Sequence, residues 1–427
     1  MGHLAAKDAF RELGAKLDGL NCRVPYNEAL RAILRELYTE EEADLVSRMP
    51  DGLSRPQRLQ EITGIPADRL KGLLEALTSK GLVLDLRLKK EYRYAPSPFV
   101  IGIFEFTMMR TRGQLNTKEW ARLFHEYMEA SPFWNANFGH GEKVSIMRAV
   151  AREEALPVEG HLEILDYEKA STFIDKAKLC AVGLCACRHE KHHLGTKICD
   201  VPLETCTAFG SAADYLIRHG LARETSKSEM RELFAASREH GLVLCADNVQ
   251  RRVSYVCHCC KCCCSALSGI TRHGYPNAVV TSGFQAMSAG RACAGCGLCA
   301  KVCPVNAIVM EEKRPRLSAE ACLGCGVCVV KCGRRAIRME RRPQRVIPPE
   351  TTFEKIILQS LEKGTLANQL FDDPRRVSHR LLRAFVGGFL RLDPVRRALA
   401  SDALRSDFLK AIKAGVKRRG MKELLDL

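Results

Sequence analysis

Residues 293–332 contain one cysteine pattern twice: Cys293-x2-Cys296-x2-Cys299-x3-Cys303-Pro304, then, 29 residues on, Cys322-x2-Cys325-x2-Cys328-x3-Cys332, with Gly333 in the place of the proline. The duplication extends past the cysteines, because Asn306-Ala-Ile-Val-Met-Glu311 aligns with Arg335-Ala-Ile-Arg-Met-Glu340. Three cysteines at two-residue intervals set three thiolates around one tight loop, the spacing that ligates three corners of an iron–sulfur cube. Glycines at 295, 297, 324 and 326 suit a loop whose backbone approaches such a cube closely and donates N–H bonds to its sulfurs. A zinc site calls for two separated Cys-x2-Cys pairs without the third cysteine. A disulfide framework belongs to small secreted chains.

The double motif resembles the bacterial two-cluster ferredoxin, in which the fourth cysteine of each copy crosses to the other cluster. The resemblance implies one [4Fe-4S] cluster on Cys293, Cys296, Cys299 and Cys332, and a second on Cys322, Cys325, Cys328 and Cys303.

At 427 residues the chain is long enough for about three domains. Its 46% hydrophobic and 27% charged residues are ordinary for a soluble protein. The opening Met1-Gly-His-Leu-Ala-Ala-Lys7 lacks a charged segment followed by an apolar one, so no secretory signal is expected. No apolar run reaches about 18 residues, so no transmembrane segment is expected either. With 21 cysteines and no export signal, a reducing cytoplasm and a low-oxygen setting are the expected environment. The formal net charge of +16 points to acidic partners: nucleic acid, an anionic membrane surface or an acidic redox protein.

The pattern of elements predicts an α+β multidomain protein: an N-terminal winged helix, a central cysteine-rich α/β domain, a two-cluster ferredoxin-like domain and C-terminal helices. The boundaries read 1–41 (helical), 42–95 (winged helix), 96–145 (linking), 146–282 (cysteine-rich), 283–345 (ferredoxin-like) and 346–427 (basic, helical). In the second segment a helix over Glu42–Met49 precedes one capped by Ser54 with Pro56 in its first turn. A third helix, Ala67–Lys80, carries Leu70, Leu73, Leu74 and Leu77 on one face and stops at Gly81. Leu82, Leu84, Leu86 and Leu88 then alternate as in a strand, and Arg87, Lys89, Lys90, Arg93, Tyr92 and Tyr94 decorate the wing. The outward positions of the third helix, Asp68, Arg69, Lys71 and Glu75, are of mixed charge and poor in base-reading residues, so sequence-specific DNA is not an expected partner.

Trp120, Leu123, Phe124, Tyr127 and Met128 form an aromatic stripe that reads as core. Further on, a helix over Tyr167–Lys178, a strand over Ala181–Leu184, a capping box Ser226-x-x-Glu229 and a strand over Leu242–Leu244 build the central domain. The C-terminal segment is cysteine-free and basic. Its Phe385-Val-Gly-Gly-Phe-Leu390, flanked by Arg380, Arg383 and Arg391, suits a membrane-surface or partner-docking helix, or equally a plain helical cap over the ferredoxin-like domain.

Two further cysteine groups precede the repeat: Cys180-x4-Cys185-x-Cys187-Arg188 continuing to Cys199 and Cys206, and Cys257-His-Cys-Cys-Lys-Cys-Cys-Cys264. Buried apolar cysteine does not explain six thiols in eight positions, whereas a loop around a metal centre does. The order Ala181-Val-Gly-Leu-Cys-Ala-Cys-Arg-His189, His193-Leu-Gly195, Cys199-Asp-Val-Pro202, Cys206, Asn248 and Cys257-His-Cys-Cys260 resembles a group of 4Fe-4S dicluster ferredoxin-type proteins of anaerobes. Its members join winged helix, cysteine-rich and ferredoxin domains in that order. They commonly carry Asn where this chain has His258, which leaves open whether His258 is a ligand or a neighbour.

A third metal centre, read as [4Fe-4S], is expected on Cys185, Cys187, Cys199 and Cys206, or on a mixture of these with Cys257, Cys259 and Cys260. The rival is a thiol–disulfide site, with Arg188 and Lys261 lowering thiol pKa values. His189, His192 and His193 read as surface histidines.

The chain has neither a G-x-G-x-x-G after a strand nor a G-x-x-x-x-G-K-[ST], so no nucleotide cofactor is expected. The leading expectation is an iron–sulfur electron-transfer protein serving a partner reductase, in the cytoplasm or peripheral to the inner face of the membrane. The alternatives are an oxidoreductase with its active centre in the cysteine-rich domain, and a redox-responsive DNA-binding regulator.

Overall fold

A computed structural model describes residues 8–113, 115–156, 165–288, 292–371, 373, 376–418 and 420–426; the opening residues 1–7 lie outside them. The chain divides into two compact units, Met1–Glu142 with Thr352–Leu427, and Lys143–Thr351.

The first unit begins with α1 (Ala9–Asp18), α2 (Glu28–Leu37) and α3 (Glu40–Arg48). Asn27 caps α2 by accepting the N–H of Leu30 at 2.8 Å, and Leu30, Ile33, Leu34 and Leu37 then fall on one buried face. Helix α3 starts two residues before the expected Glu42, because Thr39 and Glu42 close a reciprocal capping box around its first turn. After α3 come α4 (Pro56–Thr63) and α5 (Ala67–Ser79), the latter burying the four expected leucines. Pro56 takes the first turn of α4 as expected, but Ser54 does not cap it. The backbone of Ser54 instead pairs with Tyr94 in both directions at 2.8 Å. Gly81, at φ +77°, ends the third helix in the left-handed conformation, and Leu82 N–H closes back on Leu77.

Strands β1 (Val83–Leu88) and β2 (Glu91–Pro96) form an antiparallel hairpin in which Leu88 faces Glu91 across Lys89 and Lys90. The most buried positions of β1 are Val83 and Asp85, so Leu84, Leu86 and Leu88 alternate as expected but are only half-buried, while Leu82, just before the strand, is buried. Arg93 does not decorate the surface: it is buried, and its guanidinium pairs with Glu423 at 2.7 Å. Arg69 on α5 is paired with Glu41. Helices α6 (Phe104–Met109), α7 (Thr117–Glu129) and α8 (Ser131–Phe138) follow. The aromatic stripe of α7 is core, with Phe99, Tyr127 and Phe133 at ring separations of 5.0–6.0 Å.

The second unit is built on a seven-stranded sheet. Its elements are β3 (Met147–Val150), α9 (Ala170–Lys176), β4 (Cys180–Leu184), α10 (Ala186–His193), β5 (Glu204–Phe209), α11 (Gly210–Arg218), β6 (Ala222–Thr225), α12 (Lys227–Glu239), β7 (Val243–Asp247), β8 (Tyr255–Cys259), α13 (Ser265–Thr271) and β9 (Val279–Val280). The strand order is β6-β4-β5-β8-β7-β3-β9, antiparallel throughout except for β3 beside β9. One face of this sheet, with Val150, Cys180, Phe209, Leu244, Ala246 and Val256, packs on Phe173, Ile174 and Met230 of α9 and α12. Ser226 caps α12 through Glu229 N–H at 3.1 Å, but the Glu229 carboxylate goes to Arg223 and Thr225, so only half of the expected box forms.

The repeat segment follows as β10 (Phe284–Ser288), α14 (Leu298–Val302), β11 (Ile308–Glu311), β12 (Arg314–Leu317), α15 (Val327–Val330) and β13 (Ile337–Arg341). Strands β10 and β13 pair, as do β11 and β12, both antiparallel.

The chain returns to the first unit with α16 (Thr352–Glu362), α17 (Leu366–Leu370), α18 (Val377–Arg391), α19 (Asp393–Ala400) and α20 (Asp402–Arg418). These helices are tied to the N-terminal ones: Asn21 donates to Gln359 at 2.8 Å, and Lys363 donates to the Asn21 carbonyl at 2.9 Å. Among the described residues no helix is long and apolar enough to cross a membrane.

Candidate iron–sulfur site

The two copies of the repeat fold alike, residue by residue. Gly295 and Gly324 lie at φ +70°, and Gly297 and Gly326 at +72° and +77°, opening α14 and α15. Asn306 and Arg335, equivalent in the repeat, also share positive φ, +56° and +52°. These conformations turn backbone donors onto sulfur. Gly295 N–H faces Cys293 Sγ and Gly324 N–H faces Cys322 Sγ, both at 3.4 Å; Ala307 N–H faces Cys303 Sγ at 3.2 Å and Ala336 N–H faces Cys332 Sγ at 3.3 Å. Donors aimed at sulfur stabilise thiolate charge and tune a bound cluster.

Cys303 of the first copy lines one small cavity with Cys322, Cys325 and Cys328 of the second. Apolar Ala286, Val305, Ile308 and Leu317 close it. Cys303, Cys325 and Cys328 are buried. Burial pushes the Cys325 thiol up to about 12 and the Cys328 thiol up as well, so metal uptake there must displace protons. Of the other four cysteines, Cys296 is exposed and Cys293, Cys299 and Cys332 are half-buried.

Residues 292–336 match the family described as the 4Fe-4S dicluster domain. The chain carries a 4Fe-4S ferredoxin-type domain. No curated protein and no solved structure matched the chain. The ferredoxin domain touches the helices and loops around the seven-stranded sheet through named groups: Lys331 donates to the Glu239 carbonyl at 2.5 Å, Arg341 pairs with Glu168 at 2.7 Å, and Lys261 donates to Asn306 Oδ1 at 2.8 Å. Lys261 therefore points at the ferredoxin domain.

The thiols of the cysteine-rich domain fall into distinct sets. Cys245, Cys206 and Cys257 are cross-strand neighbours, with Cys257 opposite both, and Cys259 shares their face two residues along β8. Cys185, Cys187, Cys264 and Cys259 form a second group in which neighbouring thiols raise the pKa values of Cys185, Cys264 and Cys259 and lower that of Cys187, with Cys245 and Cys257 also acting on Cys259. Cys199 stands apart from Cys185, Cys187 and Cys206. It meets Cys260, Cys262 and Cys263, the four sulfurs all lying within 4.8 Å of one another. Cys262 and Cys263 belong to the run noted in the sequence but not to the expected ligands.

His258 is a neighbour. Between Cys257 and Cys259 on β8 its ring turns to the opposite, α12 face of the sheet. There Nδ1 bonds Ser237 Oγ, Nε2 meets Thr207 Oγ1 at 3.3 Å, and the ring packs edge-on against Phe234. Burial, with Arg152 and Arg188 adding to it, pushes this imidazole down to about 3, so it is neutral. Arg188 is wholly buried and donates to Thr205 Oγ1 and the His258 carbonyl, and the Cys260 thiol is held well below its ordinary range by Cys263 and by the charge of this guanidinium. Of the three histidines read as surface residues, His192 is exposed. His189 is buried, and its Nε2 lies 2.9 Å from that of His193.

Proposed function

We propose that the chain is an electron-transfer protein whose ferredoxin domain holds two [4Fe-4S] clusters and serves a partner reductase. One observation carries the reading: Cys303 lines the cavity of Cys322, Cys325 and Cys328, which supports the crossed ligand set and leaves Cys332 to Cys293, Cys296 and Cys299. Bound cubanes supply one-electron transfer. The protein's part is to bury Cys325 and Cys328 away from solvent, to aim N–H groups at the sulfurs, and to present Cys296 at the surface where a redox partner can approach. Anaerobic purification with iron and sulfide quantified per chain tests this. About eight of each are expected from two cubanes, and four or fewer would sink the two-cluster reading.

A second reading, an oxidoreductase with its active centre in the cysteine-rich domain, has a specific observation in its favour. The loop of the buried Cys325 is held by Arg152, whose N–H donates to the Cys325 carbonyl at 3.0 Å, and Cys245 is among the groups that act on the Cys325 thiol, so one cluster loop abuts this group of thiols. If two of those thiols cycle through a disulfide, protein first oxidised with a disulfide reagent and then given dithionite should regain two alkylatable thiols for two electrons and two protons taken up, and a variant lacking the second cluster should regain fewer; equal recovery would remove the reading. The regulator reading is weakened by the engagement of Arg93 and Arg69 with carboxylates, although three helices followed by a hairpin suit a winged helix used for docking.

The α18 stripe of exposed Val377, Leu381, Phe385, Phe389 and Leu392, with Arg376 and Arg380 beside it, supports peripheral attachment to an anionic membrane surface on the cytoplasmic side.

A further inference from the structure

The four sulfurs of Cys199, Cys260, Cys262 and Cys263 are spaced for something other than a cubane. Cys199 Sγ lies 3.9 Å from Cys260 Sγ and 3.9 Å from Cys263 Sγ; Cys262 Sγ lies 3.7 Å from Cys260 Sγ and 3.4 Å from Cys263 Sγ. A disulfide would bring one pair to about 2.05 Å, and all 21 cysteines are free. One tetrahedral ion with four thiolates at about 2.3 Å would separate the sulfurs by about 3.8 Å. A cubane spreads its thiolates over a much larger tetrahedron, because four irons and four sulfides lie between them. Among the described residues, the tetrad is the one set of three or more metal-ligating side chains drawn this close together.

The backbone explains how the set forms. Cys264 N–H closes on the Cys260 carbonyl at 3.2 Å, so residues 260–264 make one helical turn that brings Cys260, Cys262 and Cys263 round a common side. The loop between α10 and β5 adds Cys199, fixed by Lys197 donating to its carbonyl. Val201 and Leu242 pack against the group, and Cys260 and Cys263 are buried. The buried Arg188, held by the His258 carbonyl two residues before Cys260, places a positive charge beside the group as a partner for the excess negative charge that four thiolates leave on a divalent ion.

We infer that Cys199, Cys260, Cys262 and Cys263 form a mononuclear tetrathiolate site for one thiophilic divalent ion of the zinc class, separate from the ferredoxin clusters. All four positions are protein thiolates, so the site is closed. Its role is to pin the loop after α10 to the end of β8.

The test uses the full chain, purified anaerobically, with zinc, iron and sulfide counted. The expected result is one sulfide-free metal ion per chain beyond the ferredoxin iron. Exchange with cobalt(II) should give the visible bands of a tetrahedral thiolate complex. Cys262→Ser, at a half-buried position, and Cys263→Ser should each lower that ion at least tenfold, while the EPR of the reduced ferredoxin clusters reports that the fold persists. Cys206→Ser and Cys257→Ser should leave it in place. Four further irons with four sulfides lost in Cys263→Ser would overturn the proposal in favour of a cubane. So would loss of the ion in Cys257→Ser, or a wild-type chain that neither holds the extra ion nor takes up cobalt here.

Discussion

The backbone N–H of Arg152 donates to the carbonyl oxygen of Cys325 at 3.0 Å. The guanidinium of the same residue donates to the carbonyls of Leu242 at 2.6 Å and Phe234 at 3.3 Å. A single buried residue thus joins the cysteine loop before α15 to α12 and to the turn that leads into β7. Beside it, the Cβ that Gly326 lacks would lie 2.7 Å from the Ala155 Cβ. The loop sits flush because that position has no side chain.

Gly326→Ala and Gly297→Ala are therefore unequal although they occupy equivalent places in the repeat. Both force a side chain into left-handed backbone, at about 1–2 kcal/mol. Only Gly326→Ala also collides with Ala155 and Arg152, whereas the nearest atom to a Cβ at 297 is Met310 Cγ at 3.8 Å. Thermal denaturation should show Gly326→Ala as the less stable by at least another ~1 kcal/mol. Equal losses would mean that the loop does not dock as described.

Cys299→Ala should remove one cluster's EPR signal and leave the other largely intact, and Cys325→Ala should remove the complementary one. Variants that both lose all signal would point to a single shared centre and against two independent ligand sets.

For the hairpin, binding to DNA should be non-specific and weaken steeply with salt, since only phosphate contacts from exposed lysines would drive it. Arg93→Ala should then leave the affinity nearly unchanged, because that guanidinium is already held by Glu423. A footprint on a defined site at physiological salt would restore the regulator reading.

Phe385→Ser and Phe389→Ser should each reduce co-sedimentation with phosphatidylserine-containing vesicles roughly tenfold or more, given ~1.5–3 kcal/mol for burying one large apolar side chain. Phe385 is 78% exposed and Phe389 is 54% exposed, so neither change should disturb folding. Unaltered vesicle binding would show that the stripe faces something else.

The repeat was legible in the sequence because its cysteines are local: each loop draws three thiols from seven consecutive residues, and the glycines that shape it sit between them. The tetrad was not legible, since Cys199 and Cys260 are brought together by the antiparallel order β4-β5-β8, which no local spacing encodes. One signal was available. Reading Tyr255–Cys259 as a strand would have put His258 on the face opposite Cys257 and Cys259 and left Cys260–Cys264 to form a separate turn. Ser54 misled for a related reason: a residue with good capping chemistry was recruited by a distant partner, Tyr94.

The two halves of the repeat share conformation but not surroundings. Three of the four cysteines in the Cys303 set are buried, while none in the Cys332 set is, and Cys296 is open to solvent. Dioxygen or peroxide diffusing up to the protein therefore meets the first loop before the second. With two clusters as proposed, oxidative damage should be sequential: an air-exposed chain would pass through a half-loaded state, with the iron nearest Cys325 the last to leave, and repair would need to rebuild only the outer half.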